Sequence, residues 1–182
     1  MKVVGIVGSP RRGANCETLV RKALEGAAAA GAETECFILN EMNIRGCQAC
    51  NHCKEHDRCR QEDDMQRILE ALLACDALVL GTPVYIDYVT AQTKLFMDRL
   101  FVFLRPGVGS TFPRGKKMLM VYSQGMGENR QMIAEVAQRV ARALNMELKG
   151  VVGSNNMNDP NAVKSRPDLL EEAFRLGKEL VG

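Results

Sequence analysis

The chain has 182 residues, enough for one domain with its own core, and 46% of them are hydrophobic. A formal net charge of only +2, no long basic block and no Trp argue against nucleic acid as a partner. No apolar run reaches the roughly 18 residues of a membrane span, so a membrane is not an expected partner either.

The first element is the apolar run Val3-Val4-Gly5-Ile6-Val7. It is too short for a signal peptide, and Ser9-Pro10-Arg11-Arg12 follows in place of a small-residue cleavage site. It therefore reads as a β-strand of a cytoplasmic protein. Thr34 to Leu39 reads as a second strand, and the long loop from Asn40 to Glu62 that follows holds four of the seven cysteines. Met65, Ile68, Leu69, Leu72 and Leu73 then line one face of a helix, with Asp63 and Gln66 at capping-box spacing. Ala77 to Leu80 is a third strand. The segment from about Tyr88 to Phe103 reads as a less regular helix, and Arg105 to Gly115 as a Gly- and Pro-rich loop. Met118 to Tyr122 is a fourth strand, and Ile133, Val136, Ala137, Val140, Ala141 and Leu144 mark the next helix. Val151-Val152 is the last strand, before a helix carrying Leu169, Ala173, Leu176 and Leu180. Near-continuous apolar strands, each followed by a helix, predict one α/β domain over residues 1–182. Its core is a doubly wound five-stranded parallel sheet of order 2-1-3-4-5 in three α/β/α layers, with the cysteine-rich loop at about 40–62 inserted.

In such sheets ligands bind beyond the carboxyl ends of the strands. Gly8-Ser9-Pro10-Arg11-Arg12-Gly13-Ala14-Asn15 opens a helix there, with Asn15 as candidate N-cap. Small and hydroxylic residues expose backbone N–H groups, the helix end adds a positive dipole, and Arg11 and Arg12 add charge, which suits a phosphate monoester. An ordinary capped turn explains the same residues. Neither the P-loop ending Gly-Lys-Ser/Thr nor the dinucleotide G-x-G-x-x-G pattern is present. The loop Gly81-Thr82-Pro83-Val84-Tyr85 offers an aromatic ring and backbone groups to a flat ligand, or is a plain helix entry. Ser123-Gln124-Gly125-Met126-Gly127 permits close backbone approach, or is a glycine turn.

Cys47-x2-Cys50-x2-Cys53-x5-Cys59 is compact enough for four thiolates to converge on one centre. One [4Fe–4S] cluster fits this spacing, although the ferredoxin run has a shorter last gap followed by proline. A tetrahedral zinc site, with His52 and His56 nearby, and a set of reduced thiols are the alternatives. Cys36 and Cys75 read as small core residues.

Gly8-Ser9-Pro10-Arg11 with Asn15 and Leu19, then Gly81-Thr82-Pro83-Val84-Tyr85 with Ala91-Gln92, Lys94 and Asp98-Arg99-Leu100, resembles the NAD(P)H-dependent FMN reductase superfamily. The four cysteines followed by Asp63-Asp64-Met65 resemble its iron–sulfur flavoprotein branch. The resemblance implies a flavodoxin-like fold with FMN. Its phosphate would lie on Ser9, Arg11, Arg12, Asn15, Cys16 and Thr18, and its ring on Thr82, Pro83, Val84, Tyr85, Ser123, Gln124 and Gly125. Cys16 stands where the family has Ser or Thr, a poorer donor for which Thr18 compensates. The resemblance also implies Cys47, Cys50, Cys53 and Cys59 as ligands of a cluster passing single electrons to FMN.

The expected function is that of an FMN-dependent oxidoreductase with NAD(P)H as possible co-substrate. The flavin carries the redox chemistry, so no catalytic acid or base is expected. The alternatives are a cluster-free NAD(P)H-dependent FMN or quinone reductase, and a non-catalytic redox carrier or sensor with a structural zinc loop. Expected partners are further copies of the chain, as homodimer or homotetramer, and a ferredoxin or other redox protein. Leu95, Phe96, Leu100 and Phe103 are either the contact between copies or core.

Overall fold

The computed structural model describes residues 1–182. Its strands and helices are β1 (Lys2–Val7), α1 (Asn15–Ala29), β2 (Glu33–Ile38), α2 (His52–His56), α3 (Met65–Ala74), β3 (Ala77–Tyr85), β4 (Tyr88–Val89), α4 (Ala91–Arg99), β5 (Leu104–Arg105), β6 (Gly109–Ser110), β7 (Lys117–Gln124), α5 (Arg130–Ala143), β8 (Glu147–Ser154) and α6 (Pro167–Glu179). No helix is long and apolar enough to cross a membrane.

Five parallel strands form the sheet in the order β2-β1-β3-β7-β8, the expected 2-1-3-4-5 order of a flavodoxin-like α/β fold. The near-continuous apolar strands are explained by the two cores. Successive side chains of a strand point to opposite faces. Val4, Ile6, Leu78, Leu80, Met118 and Met120 therefore enter one core with the apolar faces of α3, α4 and α5. Their neighbours Val3, Val7, Ala77, Val79, Leu119 and Val121 enter the other, with α1 and α6. Both faces are covered, so the central strands β1, β3 and β7 show no polar alternation, whereas the edge strands β2 and β8 open on charged, more exposed residues.

The regular elements run longer than their apolar cores, most clearly β3, which extends through the whole Gly81–Tyr85 segment. The expected helix from Tyr88 is corrected. Tyr88–Val89 is a short antiparallel strand that turns back on β3, and α4 starts only at Ala91, where the Thr90 side chain accepts a hydrogen bond from the Thr93 N–H. After Arg99 the chain tightens into a 3-10 turn, Leu100–Phe103. The loop 105–115 contains half of a small hairpin, β5 with β6. No reciprocal capping box opens α3: Asp63 pairs with Arg99 and also accepts the Met65 N–H at 3.2 Å, Asp64 at the cap position accepts the Asn43 N–H, and the Gln66 side chain donates to the Cys59 and Gln61 carbonyls. Phe96, Leu100 and Phe103 are buried in the chain's own core, which removes them as a contact between copies. Cys75 is buried in the same core, and Cys36 is half-buried on β2.

Candidate functional site

The first loop leaves β1 at Gly8, whose N–H donates to the Gly81 carbonyl at 2.8 Å. Gly8 is required by crowding: a Cβ there would lie 1.9 Å from Thr93 Oγ1 and 3.0 Å from the Gly81 oxygen. The surrounding hydroxyls are fully buried and interlinked. Thr90 Oγ1 donates to the Gly8 carbonyl at 2.6 Å, and Thr93 Oγ1 donates to Thr82 Oγ1 at 2.9 Å. This network ties the loop to β3 and to the start of α4.

Beyond Gly8 the buried Ser9 accepts the Arg11 N–H at 3.1 Å, folding the loop on itself. Glu17 accepts the Gly13 N–H at 2.7 Å and pairs with Arg21 at 2.8 Å. Burial pushes the Glu17 carboxyl up, but these two partners outweigh it and hold its pKa below the ordinary range. The cap position of α1 is Ala14 and not Asn15, which is the first helical residue. The backbone N–H groups of Asn15, Cys16 and Glu17 make no hydrogen bond, as expected of a first helical turn. Free donors at a helix N-terminus, with Arg11 beside them, are the donor arrangement that suits an anion.

The Asn15 side chain works away from that site. Its Nδ2 donates to the carbonyls of Met157 at 2.9 Å and Asp159 at 2.7 Å, and its Oδ1 accepts the Val163 N–H at 2.9 Å. These bonds draw the loop after β8 against the first loop. That last loop also meets the loop after β7: the N–H groups of Asn156 and Met157 donate to the carbonyls of Gly125 and Gln124, both at 2.8 Å. A Cβ on Gly125 would lie 2.0 Å from Oδ1 of the exposed Asn158, so a side chain there would force Asn158 to turn away.

Four loops thus enclose one pocket of about 650 Å³. Ser9, Arg11, Asn15 and Cys16 line one end of it, Pro83, Val84 and Tyr85 one wall, and Ser123, Gln124 and Gly125 another. The volume suits a cofactor of nucleotide size. Ala14, Ile86, Asp87, Met126 and Gly127 also line it beside the expected residues, as do Met157, Asn158 and Pro160, from a loop not expected at the site. Their signal in the sequence is the polar, Pro-ended run Ser154-Asn155-Asn156-Met157-Asn158-Asp159-Pro160, at the carboxyl end of the last strand. Three expected residues lie off the pocket. Arg12 pairs with Glu41, Thr18 bonds back to the Ala14 carbonyl at 3.0 Å, and Thr82 sits beneath the site in the hydroxyl network. Cys16 is buried, and its thiol is pushed well up by burial and by the Glu17 carboxylate, so it lines the pocket as a neutral group. At the rim, Ile86 and Asp87 form a two-residue hairpin turn with φ of 48° and 55°. Positive φ is costly for a β-branched residue, and Ile86 is 99% exposed there.

The cysteine loop lies at the other end of α4. Cys47, Cys50, Cys53 and Cys59 all line one small recess, together with Arg99, Phe101 and Val102. They border a recess and do not converge on a point: no three metal-ligating side chains are arranged to share an ion. The loop is fastened to the protein below it. Lys54 lies 3.4 Å above the Phe101 ring, and Arg105 pairs with Asp57. Arg99 forms a forked pair with Asp63, at 2.6 and 3.0 Å, with both side chains essentially excluded from solvent. Burial pushes the Asp63 carboxyl up, yet the bonds from Arg99 and from the Arg45 N–H outweigh it and hold its pKa below the ordinary range. The donor set, four thiols on one recess beside a buried guanidinium, is of the kind that suits a sulfur-ligated centre, although the thiols are not gathered around a single ion.

Residues 1–162 match the NADPH-dependent FMN reductase family, and the chain belongs to that family. An iron–sulfur flavoprotein from Methanocaldococcus jannaschii is 46% identical over 99 residues, covering 54% of this chain and 51% of that protein. The chain spans about half the length of the curated iron–sulfur flavoproteins from Methanocaldococcus jannaschii and Methanosarcina thermophila that it matches. A proposed NAD(P)H-dependent FMN-containing oxidoreductase from Bacillus subtilis is 27% identical over 98% of this chain and 97% of its own. Among solved structures, an NAD(P)H:quinone oxidoreductase from Methanothermobacter marburgensis shares the fold, with a TM-score of 0.74 and 20% identity over 100% of this chain and 98% of that one.

Proposed function

We propose that the chain is an FMN-dependent oxidoreductase. Its electrons arrive from NAD(P)H, or singly from a [4Fe–4S] cluster held by Cys47, Cys50, Cys53 and Cys59. The carrying observation is the four-loop pocket with free N–H groups of Asn15, Cys16 and Glu17 at one end and Tyr85 and Gly125 at the other. In this reading those N–H groups, Ser9 and Arg11 bind the FMN phosphate. Tyr85 flanks the ring, and the glycine loop lets backbone approach its edge. FMN when bound supplies a ring that takes a hydride or passes electrons singly. The protein's part is to orient that ring and exclude water from one face of it, and no side-chain acid or base is required.

The spacing of the cysteines, their common recess and the names of the iron–sulfur relatives support the cluster. The flavin pocket and the cysteine recess share no lining residue. Electrons therefore pass between the two within the chain, or to the flavin of a second copy in a homodimer or homotetramer. Exposed Tyr85, Ile86 and Met126 around the pocket mouth support the second route, since a partner chain would cover them. A ferredoxin or a similar redox protein suits the cluster as donor, and seven unpaired cysteines support a reducing, cytoplasmic setting.

Anaerobic purification of the full chain, followed by its absorption spectrum and flavin, iron and sulfide analysis, tests this reading. One FMN per chain, broad iron–sulfur absorbance and steady NAD(P)H oxidation are expected. Replacing Cys50 by Ser should abolish the iron–sulfur absorbance and leave FMN bound. FMN without iron would favour the cluster-free NAD(P)H-dependent FMN or quinone reductase, a reading supported by the full-length likeness to the Bacillus subtilis protein. Zinc in place of iron would favour a structural loop, and a chain that binds no flavin would overturn the proposal.

A further inference from the structure

Arg99 is the largest side chain among those fully buried in the protein. A guanidinium taken out of water must have its charge and its donors answered locally, and one carboxylate answers only part of them. Asp63 takes a forked pair on Nη1 and Nη2. Nη1 also donates to the Arg45 carbonyl at 2.8 Å, two residues before Cys47. Nη2 also reaches Cys59 Sγ at 3.5 Å. Asp63 in turn accepts the Arg45 N–H at 2.9 Å. One buried ion pair therefore grips both arms of the cysteine loop, the entry at Arg45 and the exit at Cys59. The remaining donor, Nε, is buried without a partner, in a side chain that lines the cysteine recess.

Stability alone does not account for this arrangement. Replacing a buried ion pair by apolar residues of similar size is often neutral or stabilising, so such a pair is weak evidence of a stabilising role. Its placement against a sulfur and beside a recess lined by four cysteines is what needs a cause. Hydrogen bonds to ligating sulfurs and nearby net charge are two of the levers that set the potential of a sulfur-bound iron cluster.

We propose that Arg99 is a positioning residue of the iron–sulfur site, holding Cys59 at the recess and raising the cluster's reduction potential through its charge and its bond to the Cys59 sulfur; this rests on the cluster reading above. Asp63 keeps the guanidinium oriented. The Arg99–Asp63 pair is neutral overall, but its cationic end and an N–H donor stand at the sulfur, 3.5 Å from Nη2, and favour the more negative, reduced state of the cluster, so removal of the pair makes reduction harder.

The test uses the full chain, purified anaerobically with FMN, in three forms: wild type, Arg99→Lys and the double variant Arg99→Met/Asp63→Leu. The double variant leaves no lone buried charge, and bound FMN reports that the domain has folded. Iron and sulfide content, loss of iron to a chelator, and the cluster potential from a redox titration followed by electron paramagnetic resonance are measured. A merely structural role would alter iron retention but not the potential of the cluster that remains. The expected result is a cluster potential shifted to more negative values in the double variant, and less so in Arg99→Lys, which keeps the charge but loses the fork. The FMN potential stays unchanged. A cluster potential equal to wild type in the folded double variant, or in Arg99→Lys if the double variant does not fold, overturns the proposal. Wild type carrying FMN but no iron overturns it by removing the cluster reading itself.

Discussion

Asn15 separates a wall-building residue from a ligand. Its side chain spends both Nδ2 hydrogens on the carbonyls of Met157 and Asp159, and its Oδ1 on the Val163 N–H, at a position 4% exposed. Nothing on the side chain is left to donate to a phosphate. Replacing Asn15 by Ala removes three hydrogen bonds and leaves two carbonyls and one N–H in a poorly hydrated place. At about 1 kcal/mol net per bond, the loss is about 3 kcal/mol. For a domain of this size that corresponds to a fall of roughly 6–12 °C in Tm. The fall should be present in the FMN-free protein, because the bonds are internal to the chain. Asn15→Asp should destabilise at least as much, since it sets an acceptor against two carbonyls. Thermal unfolding of the FMN-free variants, followed by FMN titration of the folded fraction, measures both effects. Weaker FMN binding is expected as well, because the loop holding Asn158 and Pro160 forms part of the pocket wall. An unchanged Tm together with a large loss of FMN affinity would refute the reasoning and make Asn15 a direct phosphate ligand.

Arg11→Ala should weaken FMN binding about tenfold, the low end for a charge-assisted bond because Arg11 is exposed, whereas Arg12→Ala should leave the affinity within about twofold. Equal losses in calorimetric titrations of the two variants would contradict the placement of Arg12 against Glu41. Iodoacetamide at pH 8 should label Cys47 and Cys50 first in metal-free protein and spare Cys16 and Cys75 until unfolding, since burial holds both thiols protonated, Cys75 with a pKa of about 11. Mass spectrometry showing Cys16 labelled as fast as Cys47 would contradict its burial. Glu17 and Asp63 have carboxyls held below their ordinary values in the folded chain, so the stability they add is complete above the ordinary range and is lost as pH falls through the lowered values, below about pH 4. Urea unfolding from pH 6 to pH 3 should show this loss, and Glu17→Gln should flatten it; an equal slope in the variant would remove Glu17 from the account.

The alternation of apolar strands and amphipathic helices carried the fold, because a sheet covered on both faces has no polar side to confuse the pattern. The first loop was legible as part of a pocket at the sheet edge, where Ser9, Arg11 and the free N–H groups of the helix start now meet. What was not legible is where each polar group finds its partner. Asn15 looked like a cap by position, but its partners lie more than 140 residues away in the last loop. Asp63 does accept the first N–H of α3, but nothing in its spacing tells that a buried arginine in α4 shares its carboxylate. Phe96, Leu100 and Phe103 carry the same apolar signal whether they face the core or another chain, and only packing assigns them to the core. Pairings between distant loops leave no spacing to read.

The most direct test of the FMN pocket compares FMN with riboflavin, which has the same ring and lacks the phosphate. If the free N–H groups of Asn15, Cys16 and Glu17, with Ser9 and Arg11, hold the phosphate, the lost contacts are several charge-assisted hydrogen bonds at about 1.5–3 kcal/mol each. Calorimetric titration of the full chain should then show one tight FMN site and riboflavin bound at least 100-fold more weakly. Riboflavin bound as tightly as FMN would contradict the assignment of the first loop as the phosphate site.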